Sequence, residues 1–126
     1  MICRDPKRRV VVGHYDTFAI LIVIKGHIPL ITEKFVFTVK REMRPPDRGD
    51  IVFQQTVGYN DLFLITDDDG DTVGCYFYVS ATQAKTADIP EGVNAYDLAV
   101  VNDDAGMEIE LIPPSEFIAG EVVRYE

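Results

Sequence analysis

Apolar residues recur at every second position along most of the chain, which is the period of a strand with one face on a core. Tyr15 to Lys25 goes further, with Phe18, Ile20, Ile22 and Ile24 on one face and Ala19, Leu21 and Val23 on the other. A strand so apolar and β-branched is expected to be covered on both faces. Gly26 to Pro29 breaks it, and Lys34 to Arg41 restores strict alternation, with Phe35, Phe37 and Val39 inward against Lys34, Thr38 and Lys40. Arg44-Pro45-Pro46-Asp47-Arg48-Gly49 reads as a loop. Ile51 to Thr56 and Leu62 to Thr66 are the next strands, joined through Val57-Gly58-Tyr59-Asn60. Asp67-Asp68-Asp69-Gly70-Asp71 forms a hairpin tip, since Asp-Gly supplies positive φ, and Val73 to Val79 returns from it.

At Ser80 the period changes. Ser80-Ala81-Thr82-Gln83 has the capping-box spacing, in which the serine oxygen and the Gln83 side chain satisfy free amides, and it predicts a helix of about two turns ending before Pro90. Val93 to Val101 and Met107 to Leu111 are a hairpin about Asn102-Asp103-Asp104-Ala105-Gly106. Pro113-Pro114 is expected to break the chain once more before a last strand from Phe117 to about Tyr125. Eight short strands, closely spaced turns and one short helix before the penultimate hairpin predict an all-β fold, an immunoglobulin-like antiparallel β-sandwich, in preference to an α/β fold. Ile89-Pro90-Glu91-Gly92 before Tyr96 fits the turn and tyrosine at one corner of such sandwiches, and equally an ordinary core tyrosine after a turn.

Length and composition agree with a single domain over residues 1–126, with 1–14 as a basic amino-terminal arm or edge strand. The chain has 126 residues, 47% hydrophobic and 26% charged, enough to bury roughly two thirds of its unfolded surface around one core. It lacks a long apolar run, and Met1 to Pro6 has no signal-like apolar stretch, so neither membrane insertion nor secretion by that route is expected. Cys75 falls in a strand and Cys3 in the arm, so a reducing compartment is expected rather than a disulfide. The net charge of −9 argues against nucleic acid. Residues 1–48 carry ten Lys/Arg against five Asp/Glu, net +5, and residues 49–126 carry two against sixteen, net −14. Either the first strands neutralise the later ones, or copies meet basic face to acidic face.

His14 and His27, the two histidines, lie by turns without ligand spacing and are expected to be solvated. Ser80 is assigned to the helix cap, and neither it nor Ser115 sits in a nucleophile elbow. Cys75, between Gly74 and Tyr76-Phe77, reads as a buried, inert thiol. No catalytic, cofactor-binding or metal residue is assigned, and no cofactor is expected. Asp67, Asp69, Gly70 and Asp71 resemble an acidic calcium loop, but Tyr78 stands where the twelfth-position glutamate is required. Strands alternating up and down are expected to put this tip, the Asp103-Asp104 tip and the Arg41 to Gly49 loop at one end. There Arg41, Arg44 and Arg48 would neutralise the aspartates. Arg48-Gly49-Asp50 is read as a chance tripeptide, and Arg4, Lys7, Arg8 and Arg9 as a solvated arm or a charge-guarded edge.

Several segments, taken in order, resemble the amino-terminal immunoglobulin-like domain of upper baseplate and related tail-appendage proteins of tailed phages and prophages. They are Asp16-Thr17-Phe18, Lys34-Phe35-Val36-Phe37-Thr38-Val39-Lys40, Ile51-Val52-Phe53-Gln54-Gln55 and Tyr76-Phe77-Tyr78-Val79-Ser80. Ile89-Pro90-Glu91-Gly92 before Ala95-Tyr96-Asp97-Leu98 follows, then Leu111-Ile112-Pro113-Pro114-Ser115-Glu116-Phe117-Ile118. The likeness covers about residues 15–124. It implies a virion structural protein of the tail or baseplate, assembled in the bacterial host cytoplasm. Such a protein acts through contacts with other virion subunits, with a homo-oligomer among its arrangements and neither nucleic acid nor membrane as partner. The alternative from another class is a calcium- or carbohydrate-binding β-sandwich module using the acidic end loops. A hydrolase joining His14 or His27 to Cys75 or to a carboxylate cluster ranks last.

Overall fold

The computed structural model describes residues 3–4, 10–12, 17–41, 51–82 and 88–120. Nine strands are present among them: β1 (Cys3–Arg4), β2 (Val10–Val12), β3 (Phe18–Lys25), β4 (Glu33–Lys40), β5 (Ile51–Gly58), β6 (Phe63–Thr66), β7 (Thr72–Ala81), β8 (Gly92–Asn102) and β9 (Met107–Ala119). A six-stranded sheet has the order β1-β2-β9-β8-β4-β5, and a three-stranded sheet the order β3-β7-β6. All neighbours are antiparallel except β2 and β9, which run parallel with Val10 beside Phe117. The chain is an all-β, immunoglobulin-like sandwich.

Alternation drives the two sheets together. Ile20, Ile22 and Ile24 of β3 and Phe77 and Val79 of β7 face Phe35, Phe37 and Val39 of β4 and Tyr96, Leu98 and Val100 of β8, and all are buried. Rings fill the centre: Phe37 stacks on Tyr96 at 5.4 Å, and Phe18 contacts Phe53 at 5.7 Å and Phe117 at 5.8 Å. Such ring pairs add to what their burial alone contributes. Asn94 holds the turn before β8 by donating from Nδ2 to the Pro90 carbonyl at 2.9 Å.

Four expectations need correction. β3 is covered on one face only, its residues alternating strictly between buried and exposed. Ser80 caps no helix: it lies in β7 opposite Ala19, because the inward alternation of Phe77, Val79 and Ala81 continues past it and pairing with β3 overrides the local capping signal. The remainder of the expected helix, 83–87, lies outside the described residues, and the one helical turn seen is a 3₁₀ turn at Tyr59–Asp61. Pro113-Pro114 does not interrupt β9. Tyr96 pairs with Ser115 and Leu98 with Ile112, so both prolines stand opposite Asp97 alone, in a bulge where neither has to donate to the ladder.

The fourth correction concerns the ends. Lys40 pairs with Ala95 and Glu33 with Asn102, so the loop after Arg41 leaves the opposite end from the Asp103-Asp104 turn. The Asp67 to Asp71 tip shares the Asp103 end, since Lys25 pairs with Gly74 there. Counting alternate directions fails because β5 and β6 run the same way. β5 is antiparallel to β4 and ends at Gly58 opposite Lys34; the chain then changes sheet through 59–62 and continues toward the same end as β6. Arg41 therefore stands at the end away from these aspartates, and Lys34 Nζ meets Asp103 Oδ2 at 3.0 Å; Arg44 and Arg48 lie outside the described residues.

Candidate functional site

The outer face of the three-stranded sheet stands out. Inward residues of β3 and β7 alternate with Leu21, Val23, Tyr76 and Tyr78 pointing out, and the register sets Val23, Tyr76 and Phe63 in one row and Leu21 and Tyr78 in the next. Phe63 stacks on Tyr76 at 5.0 Å, and Tyr76 meets Tyr78 edge-on at 6.4 Å. Leu21, Val23, Phe63 and Tyr78 are 46%, 47%, 50% and 52% exposed, so this is one continuous patch. The two half-exposed rings alone leave roughly 200 Å² in water. With the aliphatic neighbours the patch approaches the few hundred Å² at which an apolar surface on a monomer is often functional.

The surrounding edges are unlike one another. β6 covers only the first part of β7, and the uncovered part is closed by Gln55 of β5. Its Nε2 donates to the Tyr78 carbonyl at 3.1 Å, and its Oε1 accepts from the Ser80 N–H at 3.1 Å, so one amide does the work of a strand. Beside β3, a groove of about 370 Å³ is lined by Ile22, Val23, Ile24, Lys25, Leu111 and Ile112, with Leu98 at its floor.

The residues singled out in the sequence fall elsewhere. His27 is not a solvated loop histidine: its Nε2 lies 3.0 Å from Glu33 Oε1, and its ring stands edge-on to Phe35. Glu33 is itself buried and accepts the Leu30 N–H at 2.8 Å. Cys75 is fully buried; burial and then the nearby Glu33 carboxylate push its thiol pKa up, the opposite of what activates a nucleophile. The structure thus places His27, Glu33 and Cys75 near one end, with the thiol buried and its pKa raised. Ser80 offers its N–H to Gln55, and Ser115 donates its hydroxyl to the Pro113 carbonyl at 2.8 Å.

At the acidic tip, Asp67 Oδ1 accepts the N–H groups of Asp69 and Asp71 at 2.9 and 3.0 Å, and Gly70 has φ 85° as the turn requires. That carboxylate is committed to its own turn. Among the described residues no group of three or more His, Cys, Asp or Glu is placed to hold a metal. His14, Lys7, Arg8, Arg9, Arg44 and the Arg48-Gly49-Asp50 tripeptide lie outside the described residues, and Cys3 and Arg4 are described only as strand backbone. Among the described residues no helix is long and apolar enough to cross a membrane. In the sequence, Leu21 and Val23 predict a second covered face where the structure has an exposed one; Phe63, Tyr76 and Tyr78 carry no signal that separates an exposed apolar face from an ordinary strand. No family model matches the chain, and no curated protein matches it either.

Proposed function

We propose that the chain is a structural building block that acts through protein–protein contacts, and that it is a phage- or prophage-derived subunit of a tail or baseplate. The observation that carries the first part is the apolar outer face of the three-stranded sheet, where Leu21, Val23, Phe63, Tyr76 and Tyr78 form one patch. Aromatic-rich patches with rigid side chains anchor protein interfaces at low entropic cost. The occupant of this face is another subunit of the particle. What supports the particle is the resemblance of the strand and turn segments to tail-appendage domains, from Asp16-Thr17-Phe18 to Phe117-Ile118.

The test follows a tagged copy through particle assembly in the cell that naturally carries its gene. Wild-type chain is expected to sediment with tail-containing particles, whereas Tyr78→Asp, which buries a charge in the interface, is expected to stay in the soluble fraction. Particles that assemble without the wild-type chain would overturn the proposal.

A further inference from the structure

The free edge of β3 is long and bare, and its chemistry fits a second copy of itself. The Gly26 N–H donates to the Val73 carbonyl at 3.1 Å, which fixes the parity of the ladder. Residues 18, 20, 22 and 24 exchange bonds with β7, so Ala19, Leu21, Val23 and Lys25 direct their N–H and C=O groups to the other side. Among the described residues no strand pairs there. Proteins blunt such edges with charge, proline, bulges or shortness. β6 has four residues and a register shift between Ile65 and Thr66, and the open part of β7 is capped by Gln55. β3 has eight residues in unbroken register, no proline, and no charge before Lys25 at its end.

We infer that β3 pairs antiparallel with β3 of a second copy about a twofold axis, joining the two three-stranded sheets into one of six strands. Residues whose backbone groups point outward must face one another, and the register that engages all four sets Leu21 opposite Val23 of the second copy and Ala19 opposite its Lys25. Aliphatic cross-strand pairs of this kind are favourable, and a twofold interface needs only that the strand be complementary to itself. The two apolar outer faces become one continuous surface.

Charge selects this orientation. One end of the sandwich carries Asp67, Asp68, Asp69, Asp71, Asp103 and Asp104 against Lys25 and Lys34. The other is mixed, with Lys40 and Arg41 beside Asp88, Glu91 and Glu116. Antiparallel pairing puts the acidic end of each copy beside the mixed end of the other. It separates the two acidic ends by about the length of an eight-residue strand, roughly 25 Å. That is several times the Debye length of about 8 Å at physiological salt, so their repulsion is screened. Parallel pairing would place them side by side.

This inference rests on the reading of the chain as a building block. Its test is sedimentation velocity of the full chain over a concentration series, where a reversible monomer–dimer equilibrium is expected. Val23→Pro removes an N–H that points away from β7, so it is expected to abolish the dimer while leaving the melting midpoint of the dilute protein unchanged. A wild-type chain that stays monomeric throughout, or a dimer that Val23→Pro leaves intact, overturns the pairing. If Val23→Pro does not fold, hydrogen exchange on wild type decides. The Ala19, Leu21 and Val23 amides should exchange at least about tenfold more slowly in concentrated than in dilute solution, and equal rates overturn the pairing. A monomer that still enters the particle fraction sinks the edge pairing alone; a dimer that never enters it sinks the building-block reading.

Discussion

The two sheets bury their inner faces in the same way and differ in what they turn to water. Outside the six-stranded sheet, Lys34, Gln54, Asp97, Glu108 and Glu110 surround Val36, Ala99 and Val101, with Gln54 Nε2 donating to the buried Thr38 Oγ1 at 3.0 Å. Outside the three-stranded sheet stand Leu21, Val23, Phe63, Tyr76 and Tyr78. An antiparallel sheet with one wet face ordinarily alternates apolar with polar, and the larger sheet does so in most of its outward rows, which mix charged and amide side chains with a few small aliphatic ones. The smaller sheet breaks that habit on strands whose inner faces are already satisfied, so its outer apolar residues are not needed to close the core. The core of this chain therefore accounts for the apolar residues on the inner face of the smaller sheet and not for those on its outer face.

On β7, adjacent residues point to opposite faces. Phe77 is 1% exposed and Tyr78 52%. Phe77→Ala should cost about 3–5 kcal/mol of unfolding free energy by denaturant titration, through lost burial and the cavity left behind. Tyr78→Ala should cost less than about 0.5 kcal/mol in dilute solution. Comparable losses would mean that the outer face is covered within the isolated chain.

A smaller effect is expected where the chain passes from the bare sheet to the charged one. Glu33 opens β4, buried, holding the Leu30 N–H and His27 Nε2. Glu33→Ala removes the one oxygen that serves both contacts and should cost about 1–3 kcal/mol, because a part-buried donor is left without its partner. A loss below about 0.5 kcal/mol would show that the 26–32 connection is held by its backbone instead.

Much of this architecture was legible in the chain, for reasons that separate cleanly by range. Strict alternation at Lys34 to Arg41, Asp-Gly at 69–70 and the hairpin about Asp103-Asp104 are local signals, and the structure has a strand or turn at each. Ser80 also carried a local signal, yet pairing with Ala19 across the sheet outweighed it. Pro113-Pro114 looked like a break because the bulge opposite Asp97 that accommodates it is a property of two strands. The error about which loops share an end came from 58–63, where the chain changes sheet without reversing direction; nothing in Gly58-Tyr59-Asn60 distinguishes that path from a hairpin. Apolar outer residues on β3 were visible, but whether the same chain covers them is not written in their identity.

The mildest expected effect tests the charged face. Burial pushes the Asp97 carboxyl pKa up; Lys40 opposes this, and Glu110 and Glu108 add to it. A carboxyl with a raised native pKa holds its proton to higher pH than the unfolded chain does, so in that window the folded state binds more protons and stability falls as pH rises. Asp97→Asn removes the charge that burial and two glutamates disfavour. It should raise the unfolding free energy at neutral pH by up to about 0.5 kcal/mol, and give no such gain below the ordinary carboxylate range, where Asp97 is protonated in both states. Lys40→Gln, which removes the one charge opposing the shift, should lower stability at neutral pH. If Asp97→Asn shifts stability equally at both pH values, the effect is one of shape beside the proline bulge, and the charged face tolerates Asp97 as readily as solvent would.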